Sequence, residues 1–509
     1  MKKRALSDQI SKKHAFRWGR KKTCRFFVCI AVAVWGLLYL PNLSTTPRWY
    51  SDETQTLGCG QDLVEGVFAN RAVFNTFINP QFCYQPGYVF MVGLASKWSD
   101  RQIGWPRLIN SLLALGIALA SITVLGRRIG YTSGLLISLI FLTYEQSVIH
   151  FRWVYAHNAA ALGFFICFAC QCLGSCRKRS WQSGWGLAIA AASHPLALHA
   201  GLAAFVNRWK KPSTWVPTFL PPLLVGILCL SPVLVWNFHW WWGDLHDLKD
   251  FYESYSRENG SGWQWPLNFY RFLTQDALHL FAALALIRCF FSPIRPIAIG
   301  ALLTLALLTK NRQNLTLFYY QAVVVLPLLI SCLGYGLVFL QKKFHCRHRW
   351  VRWAPFLLPI FLFIKVSPKV WENRLVSRND PWVVQSVQDH QKTADWLNQH
   401  TVKEDLVICH WNIGWLLRCR NADPLMCVAW EGMTTSTYEK GLPRERFRYD
   451  ADIRQARFFV LTDIDRIWSL GQPNVQSIFN DNNLSGWGPV FQSGTCLILA
   501  PPYHPIGGR

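Results

Sequence analysis

The chain has 509 residues, 51% of them apolar and only 16% charged, with 26 tryptophans. Soluble chains carry about 25% charged residues, and here the apolar residues gather into blocks of the ~20-residue length that crosses a bilayer as helix. A soluble globular protein is therefore excluded. The net charge of +24 does not mark a nucleic-acid binder, because the basic residues alternate with apolar blocks in the positive-inside pattern and no basic-aromatic module interrupts them.

In chain order, ten basic residues and one acid, Asp8, lie between Lys2 and Arg25, so residues 1–25 read as a basic cytoplasmic tail. The first span runs from about Arg25 to Leu43. It is too long for a signal peptide, and Leu40-Pro41-Asn42-Leu43 offers no small-residue cleavage site. Asp52-Glu53 follows at the outer surface. Residues 44–105 form a long first outer loop, within which Tyr88 to Trp98 is apolar but too short to span and is predicted as an interfacial helix. The second span opens at Arg107 and ends at Gly126-Arg127-Arg128. The third covers about Ser133 to Ile149, a short outer loop follows from His150 to Asn158, and the fourth ends before Arg177-Lys178-Arg179. From Trp185 to Trp209, two short helices hinged at His194-Pro195 keep that basic turn and Lys210-Lys211 on the same side. The seventh span, about Trp215 to Asn237, leads to a large outer loop, 238–274. The eighth and ninth flank Arg288 and Arg295, an outer turn from Lys310 to Asn314 precedes the tenth, and the eleventh is about Arg352 to Val366.

Eleven crossings from a cytoplasmic N-terminus place the C-terminus outside a plasma or inner cell membrane. The predicted architecture is an all-α polytopic membrane domain, 26–366, followed by a small α/β extracytoplasmic domain, 369–509. In the latter, Thr393 to His400 reads as a short amphipathic helix. Leu406 to Cys409 and Phe458 to Thr462 read as buried strands.

The residues best placed for chemistry are Asp52 and Glu53. Charge at a membrane surface is costly and usually kept for a reason. One carboxylate can take a proton from an acceptor hydroxyl or amine while the other holds the acceptor or a divalent metal ion. The plain alternative is a hydrated pair, or a helix start at Ser51-Asp52-Glu53-Thr54. Cys167, Cys170, Cys172 and Cys176 have metal-like spacing but lie in an apolar helix, where they read as packing residues. Cys59, Cys83, Cys409, Cys419, Cys427 and Cys496 face outside, where disulfides are permitted; Cys59–Cys83 is one pairing within a single loop.

The order of several motifs resembles that of the polytopic GT-C glycosyltransferases that use polyprenyl-phosphate sugars, a group that includes protein O-mannosyltransferases and lipid A aminoarabinose transferases. The motifs are Asp52-Glu53 after the first span, Asn79-Pro80 through Tyr84-Gln85-Pro86-Gly87-Tyr88, and Trp105-Pro106-Arg107 through Leu112. Further on come Trp263 to Tyr270, Phe318-Tyr319-Tyr320 to Pro327, and Ala394-Asp395-Trp396-Leu397 with Asp405 to Ile408. The resemblance implies inverting transfer of a sugar from a polyprenyl phosphate to a lipid, glycan or protein acceptor at the outer face. It implies Asp52 as general base, with Glu53 assisting. Arg107, Lys310 and Arg312 are then expected at the donor phosphate, whose developing charge needs cations. Tyr84, Tyr88, His157, Asn158, Trp263 and Tyr270 are expected at the substrates, and the aromatic run from Trp240-Trp241-Trp242 onward over the cleft. Many members carry an acid in the second outer loop, whereas this chain has His157-Asn158, so a metal requirement and the acceptor class stay open. The rival readings are a transporter, which needs ionisable residues facing one another within the spans, and a non-catalytic assembly protein of the same fold.

Overall fold

The computed structural model describes residues 2–48, 51–66, 86–229, 231, 264–310, 323–343, 353–375, 386–434, 444, 447, 449–472, 474–481 and 486–502. The predicted basic tail and the first span form one continuous helix, α1 (Lys2–Tyr39), rather than a tail joined to a span. Apolar residues take over the helix at its C-terminal half, where Ala31, Trp35, Leu38 and Tyr39 enter the main core. Ser51-Asp52-Glu53-Thr54 does start a helix, α2 (Ser51–Val64), and the interfacial segment is α3 (Pro86–Trp98). A methyl group at Gly60 would lie 2.5 Å from the Val89 carbonyl, and one at Gly93 would meet the Gly60 backbone, so α2 and α3 pack backbone to backbone only because both positions are glycine.

The membrane body continues with α4 (Gly104–Ile129), interrupted by a π turn at Ser121–Leu125. The third predicted span is broken: α5 (Tyr131–Thr143) ends at an extended Tyr144, and α6 (Glu145–His150) starts afresh. At this break the Tyr144 hydroxyl donates to Asp276 at 3.0 Å and lies 3.1 Å from His279 Nε2. Then come α7 (Ala156–Cys172), α8 (Arg177–Ser193), α9 (Ala197–Arg208) and α10 (Pro212–Cys229). The junction of α8 and α9 falls at His194-Pro195, as the proline requires. The end of the large outer loop is helical, α11 (Gln264–Gln275), and bends by 114° into α12 (Ala277–Cys289). α13 (Arg295–Lys310), α14 (Leu326–Lys343) and α15 (Ala354–Trp371) complete the body. Among the described residues, four helices are long and apolar enough to cross a membrane alone: the Lys21–Tyr39 part of α1, α4, α10 and α15. α5, α7 and α13 are apolar but shorter.

The C-terminal domain is α/β. It begins with α16 (Val387–His400), capped by Ser386, and contains β1 (Leu406–Ile408), α17 (Trp411–Gly414), β2 (Arg420–Ala422) and α18 (Pro424–Trp430). β3 (Ala456–Leu461), α19 (Asp463–Ile467), α20 (Val475–Asp481), β4 (Gly488–Ser493) and β5 (Cys496–Ala500) follow. The strand order is β2-β1-β3-β5-β4, with β1 parallel to β2 and β3, and β5 antiparallel to β3 and β4. Strand side chains alternate between two faces. One face (Leu406, Ile408, Phe459) packs on α18 and α20. The other (Val407, Phe458, Val460, Ile498) shares a single apolar core with Leu57, Cys59 and Leu63 of α2 and with Tyr88, Val89 and Val92 of α3. The domain is thus not a separate module; its core runs into the helix that carries Asp52-Glu53.

Candidate active site

Four segments meet around Glu53. The Glu53 carboxylate is fully buried and accepts from Arg107 Nε at 2.8 Å and Arg107 Nη2 at 2.8 Å. Its Oε1 also accepts from the Val154 backbone N–H at 3.0 Å. Arg107, equally buried, sends its remaining Nη1 to the carbonyls of Leu43 (3.1 Å) and Pro47 (2.9 Å). A forked guanidinium matched to a carboxylate gives direction as well as attraction. This pair ties the end of α1, the start of α2, the start of α4 and the 151–155 turn into one point.

Two corrections follow. Arg107, expected at a donor phosphate, has Nε, Nη1 and Nη2 committed to Glu53 and to backbone carbonyls. Glu53, expected beside an acceptor, has both oxygens committed to Arg107 and Val154. Both side chains bind the protein's own segments together. Asp52 is the second residue of α2, one step from this lock; its side chain lies outside the described residues.

Beneath the pair is a second buried cation that sequence reasoning missed. Arg152 is fully buried and donates only to carbonyls: Thr46 from Nε (3.1 Å) and Nη2 (2.9 Å), Leu38 from Nη1 (2.8 Å) and Pro41 from Nη2 (2.6 Å). Burial, and then the Arg107 charge, work against its charged form. Two guanidiniums and one carboxylate leave this interior with an excess of positive charge among the described side chains. The signal was available, since Arg152 is a charged residue in a short loop between two apolar blocks.

The remaining second-loop residues are also internal. Asn158, in the place of the family's acid, is fully buried, and its Nδ2 donates to Asn110 Oδ1 (3.0 Å) and to the carbonyls of His150 (2.8 Å) and Trp153 (3.1 Å). Tyr88, expected at a substrate, is 2% exposed and donates its hydroxyl to the same Asn110 oxygen at 2.8 Å. Asn110, on the quoted Trp105 to Leu112 motif, therefore gathers α3, α4 and α7. His157 is buried, stacked 4.3 Å from Tyr155, and its ring lies 4.0 Å from that of His194 at the α8–α9 hinge. His157 Nδ1 has no hydrogen-bond partner among the described residues.

Above α2 sits the C-terminal edge of the parallel strands. Thr54 donates its hydroxyl to Asn412 Oδ1. Behind that contact Asp423 and Asp465 are buried; burial pushes the first carboxyl up to about 7 and the second up to about 6. Asp423 caps α18 through Leu425 and Met426, and Asp465 closes a capping box with Thr462.

Of the other expected residues, Tyr270 lies on α11, 63% exposed, and is not brought to the Glu53–Arg107 pair. Lys310 is the last residue of α13, with its side chain outside the described residues. Tyr84, Trp263, Arg312, Cys83, the Trp240 run and Phe318 to Tyr320 also lie outside them. Cys409, Cys419, Cys427 and Cys496 are unbridged. Cys167 hydrogen-bonds Ser183 inside the helix pair α7–α8, and among the described residues no three His, Cys, Asp or Glu side chains converge as metal ligands would.

No family model and no curated protein matches the chain by sequence. Its fold does match solved structures. ArnT from Cupriavidus metallidurans bound to undecaprenyl phosphate aligns over 95% of this chain and 98% of its own, with a TM-score of 0.57 and 13% identity. The Archaeoglobus fulgidus oligosaccharyltransferase in complex with zinc and sulfate aligns over 87% of this chain and 68% of its own, with a TM-score of 0.52 and 10% identity. The arabinofuranosyltransferase AftD from Mycobacteria aligns over 94% of this chain and 40% of its own, with a TM-score of 0.51 and 12% identity. At 10–13% identity the likeness is one of fold.

Proposed function

We propose that the chain is an integral-membrane glycosyltransferase moving a sugar from a polyprenyl-phosphate donor to a lipid, glycan or protein acceptor, with inversion. A shared fold alone does not carry a function. The observation that carries it is the buried Glu53–Arg107 pair, which holds the start of α2 against three other segments. A reacting group needs such a rigid support, and Asp52 is the ionisable residue next to it.

In this reading Asp52 accepts the proton of the acceptor hydroxyl or amine as that atom attacks the anomeric carbon and the lipid phosphate departs. Lys310 and Arg312 are assigned to the phosphate; the excess buried charge of Arg107 and Arg152 lends longer-range support. Tyr84, Trp263 and Tyr270 stay assigned to the substrates, while Tyr88, His157 and Asn158 hold the loops. The N-terminus lies in the cytoplasm, the eleven crossings include paired short helices such as α5–α6, and Asp52 and the C-terminal domain face the outside of the cell membrane. The transporter reading gains nothing from Glu145, whose carboxylate is bound by Lys369 at the end of α15.

The test is sugar release from a panel of radiolabelled polyprenyl-phosphate sugars by the purified protein in lipid vesicles, with and without EDTA, comparing wild type with Asp52→Asn. Turnover lost in a folded variant that still binds donor supports the assignment. Equal turnover by both proteins refutes it.

A further inference from the structure

Two helix breaks meet at the start of α6. Tyr144, between α5 and α6, and Asp276, between α11 and α12, both have extended backbone. The Tyr144 hydroxyl faces Asp276 Oδ2 on one side and His279 Nε2 on the other. The second Asp276 oxygen caps α12 at the Leu278 N–H, 2.8 Å away. His279 reaches back to α11, with Nδ1 3.1 Å from the Phe272 carbonyl and its ring stacked 4.3 Å from that of Phe272. The α11–α12 corner therefore closes on one tyrosine hydroxyl. The next residue, Glu145, is bound by Lys369 near the end of α15. The first turn of α6 is thus fixed to α12 and α15.

The segment that leaves α6 is fixed as well. Phe151 packs edge-on against Phe141 at 5.3 Å. Arg152 is bound by the carbonyls of Leu38, Pro41 and Thr46, and Trp153 Nε1 donates to the Arg48 carbonyl at 2.9 Å. Val154 then donates its N–H to Glu53. Between these anchors α6 has six residues, roughly 9 Å of helix, with no proline or glycine at which to kink. One anchor is the corner that carries α11 and its exposed Tyr270; the other is the pair that holds the start of α2.

We propose that α6 is a strut that sets the spacing between α11 and the start of α2, with Tyr144 as its positioning residue. The consequence for catalysis rests on the glycosyl-transfer reading, in which Tyr270 meets substrate and Asp52 takes the proton. Such groups must be held close to their productive geometry by the elements behind them. The mechanical coupling itself does not depend on that reading.

The test measures amide hydrogen exchange and steady-state turnover on the full-length protein in nanodiscs. Tyr144→Phe keeps the ring and deletes the hydroxyl. Amides at the start of α2 and in the 151–158 segment then exchange about five-fold faster than in wild type, through local opening. Thr143→Val deletes a neighbouring hydroxyl bonded to the Leu139 and Ile140 carbonyls of its own helix, and leaves those amides as in wild type. Glu145→Gln releases Lys369 and Lys365 from the same end of α6 and moves exchange in the same direction, which covers the case of a Tyr144→Phe protein that does not fold. In turnover, Tyr144→Phe lowers kcat about ten-fold while the donor KM stays within about two-fold, the split expected when substrate is bound but the reacting groups are misplaced. Unchanged exchange at the α2 start in the folded variants, or the same acceleration in Thr143→Val, overturns the strut. Faster exchange with an unchanged kcat overturns its role in positioning Asp52. If wild type turns over no donor at all, the glycosyl-transfer reading fails, and the exchange result still decides the strut.

Discussion

Replacing Glu53 by Gln keeps the shape of the side chain and removes the charge that Arg107 faces. Arg107 keeps the Leu43 and Pro47 carbonyls, but one of its two charge-assisted bonds to residue 53 becomes an N–H facing an N–H. The guanidinium, fully buried, loses the carboxylate it forks. Breaking a buried pair from one side costs about 3–5 kcal/mol, because the surviving charge has no water to return to. Arg107→Met costs a similar amount, since Glu53 then keeps only the Val154 N–H. The double variant loses less than the sum, with a coupling of about 2–3 kcal/mol. Unfolding in mixed micelles of rising dodecyl sulfate fraction, followed by tryptophan fluorescence, measures all four corners of the cycle. Asp52→Asn, run alongside, stays within about 1 kcal/mol of wild type, the scale of a helix-dipole contribution. If Glu53→Gln loses less than 1 kcal/mol, or the two single changes add to within about 0.5 kcal/mol, the pair is not what holds the α2 start.

Asn158→Asp restores the family's second-loop acid, yet it sets a carboxylate against three acceptor oxygens, Asn110 Oδ1 and the His150 and Trp153 carbonyls. The expected loss is several kcal/mol, read as failure to recover monodisperse protein; a stable, active Asn158→Asp would contradict the geometry. Gly60→Ala forces α2 from α3 and costs about 1–3 kcal/mol, with turnover falling further than stability because the Asp52 end moves; unchanged turnover would show that α2 position is not limiting. For Asp423, the folded state keeps a proton that the unfolded chain has already released between about pH 4 and 7, so C-terminal domain stability falls as pH rises through that window. About three pH units set a ceiling of about 4 kcal/mol, and Asp423→Asn, still able to cap α18, flattens the profile. Thermal unfolding at pH 5 and pH 8 checks this, and an equal slope in the variant would sink it.

The apolar helices were legible because apolar blocks and basic turns repeat along the chain. The hinge at His194-Pro195 was legible because proline cannot continue a helix and charge fixes both flanks. The break at Tyr144 was not, since nothing local marks it and its side chain's partner, Asp276, is 132 positions away. The strands at Leu406 and Phe458 announced themselves as apolar runs. β2 is the polar Arg420-Asn421-Ala422, whose place at the sheet edge comes only from pairing with β1. At the site, sequence marked Glu53 and Arg107 as charges worth keeping but set them in separate roles. Nothing local reveals that positions 54 apart will neutralise each other. Arg152 was missed for a related reason: it is satisfied by carbonyls alone, which carry no sequence signature.

The core shared by α2 and the C-terminal sheet has a consequence in time. α2 ends at Val64 and β1 begins at Leu406. At about 5–20 residues per second, a ribosome needs roughly 17 to 70 seconds to bridge that interval. Through all of it, Leu57, Cys59 and Leu63 have α3 beside them, while Ile413 and Trp415 of the same core are not yet made. The glycine contact between α2 and α3 is local in sequence and forms first. It keeps the α2 helix in place, with its apolar face half covered, until the last quarter of the chain arrives to close over it.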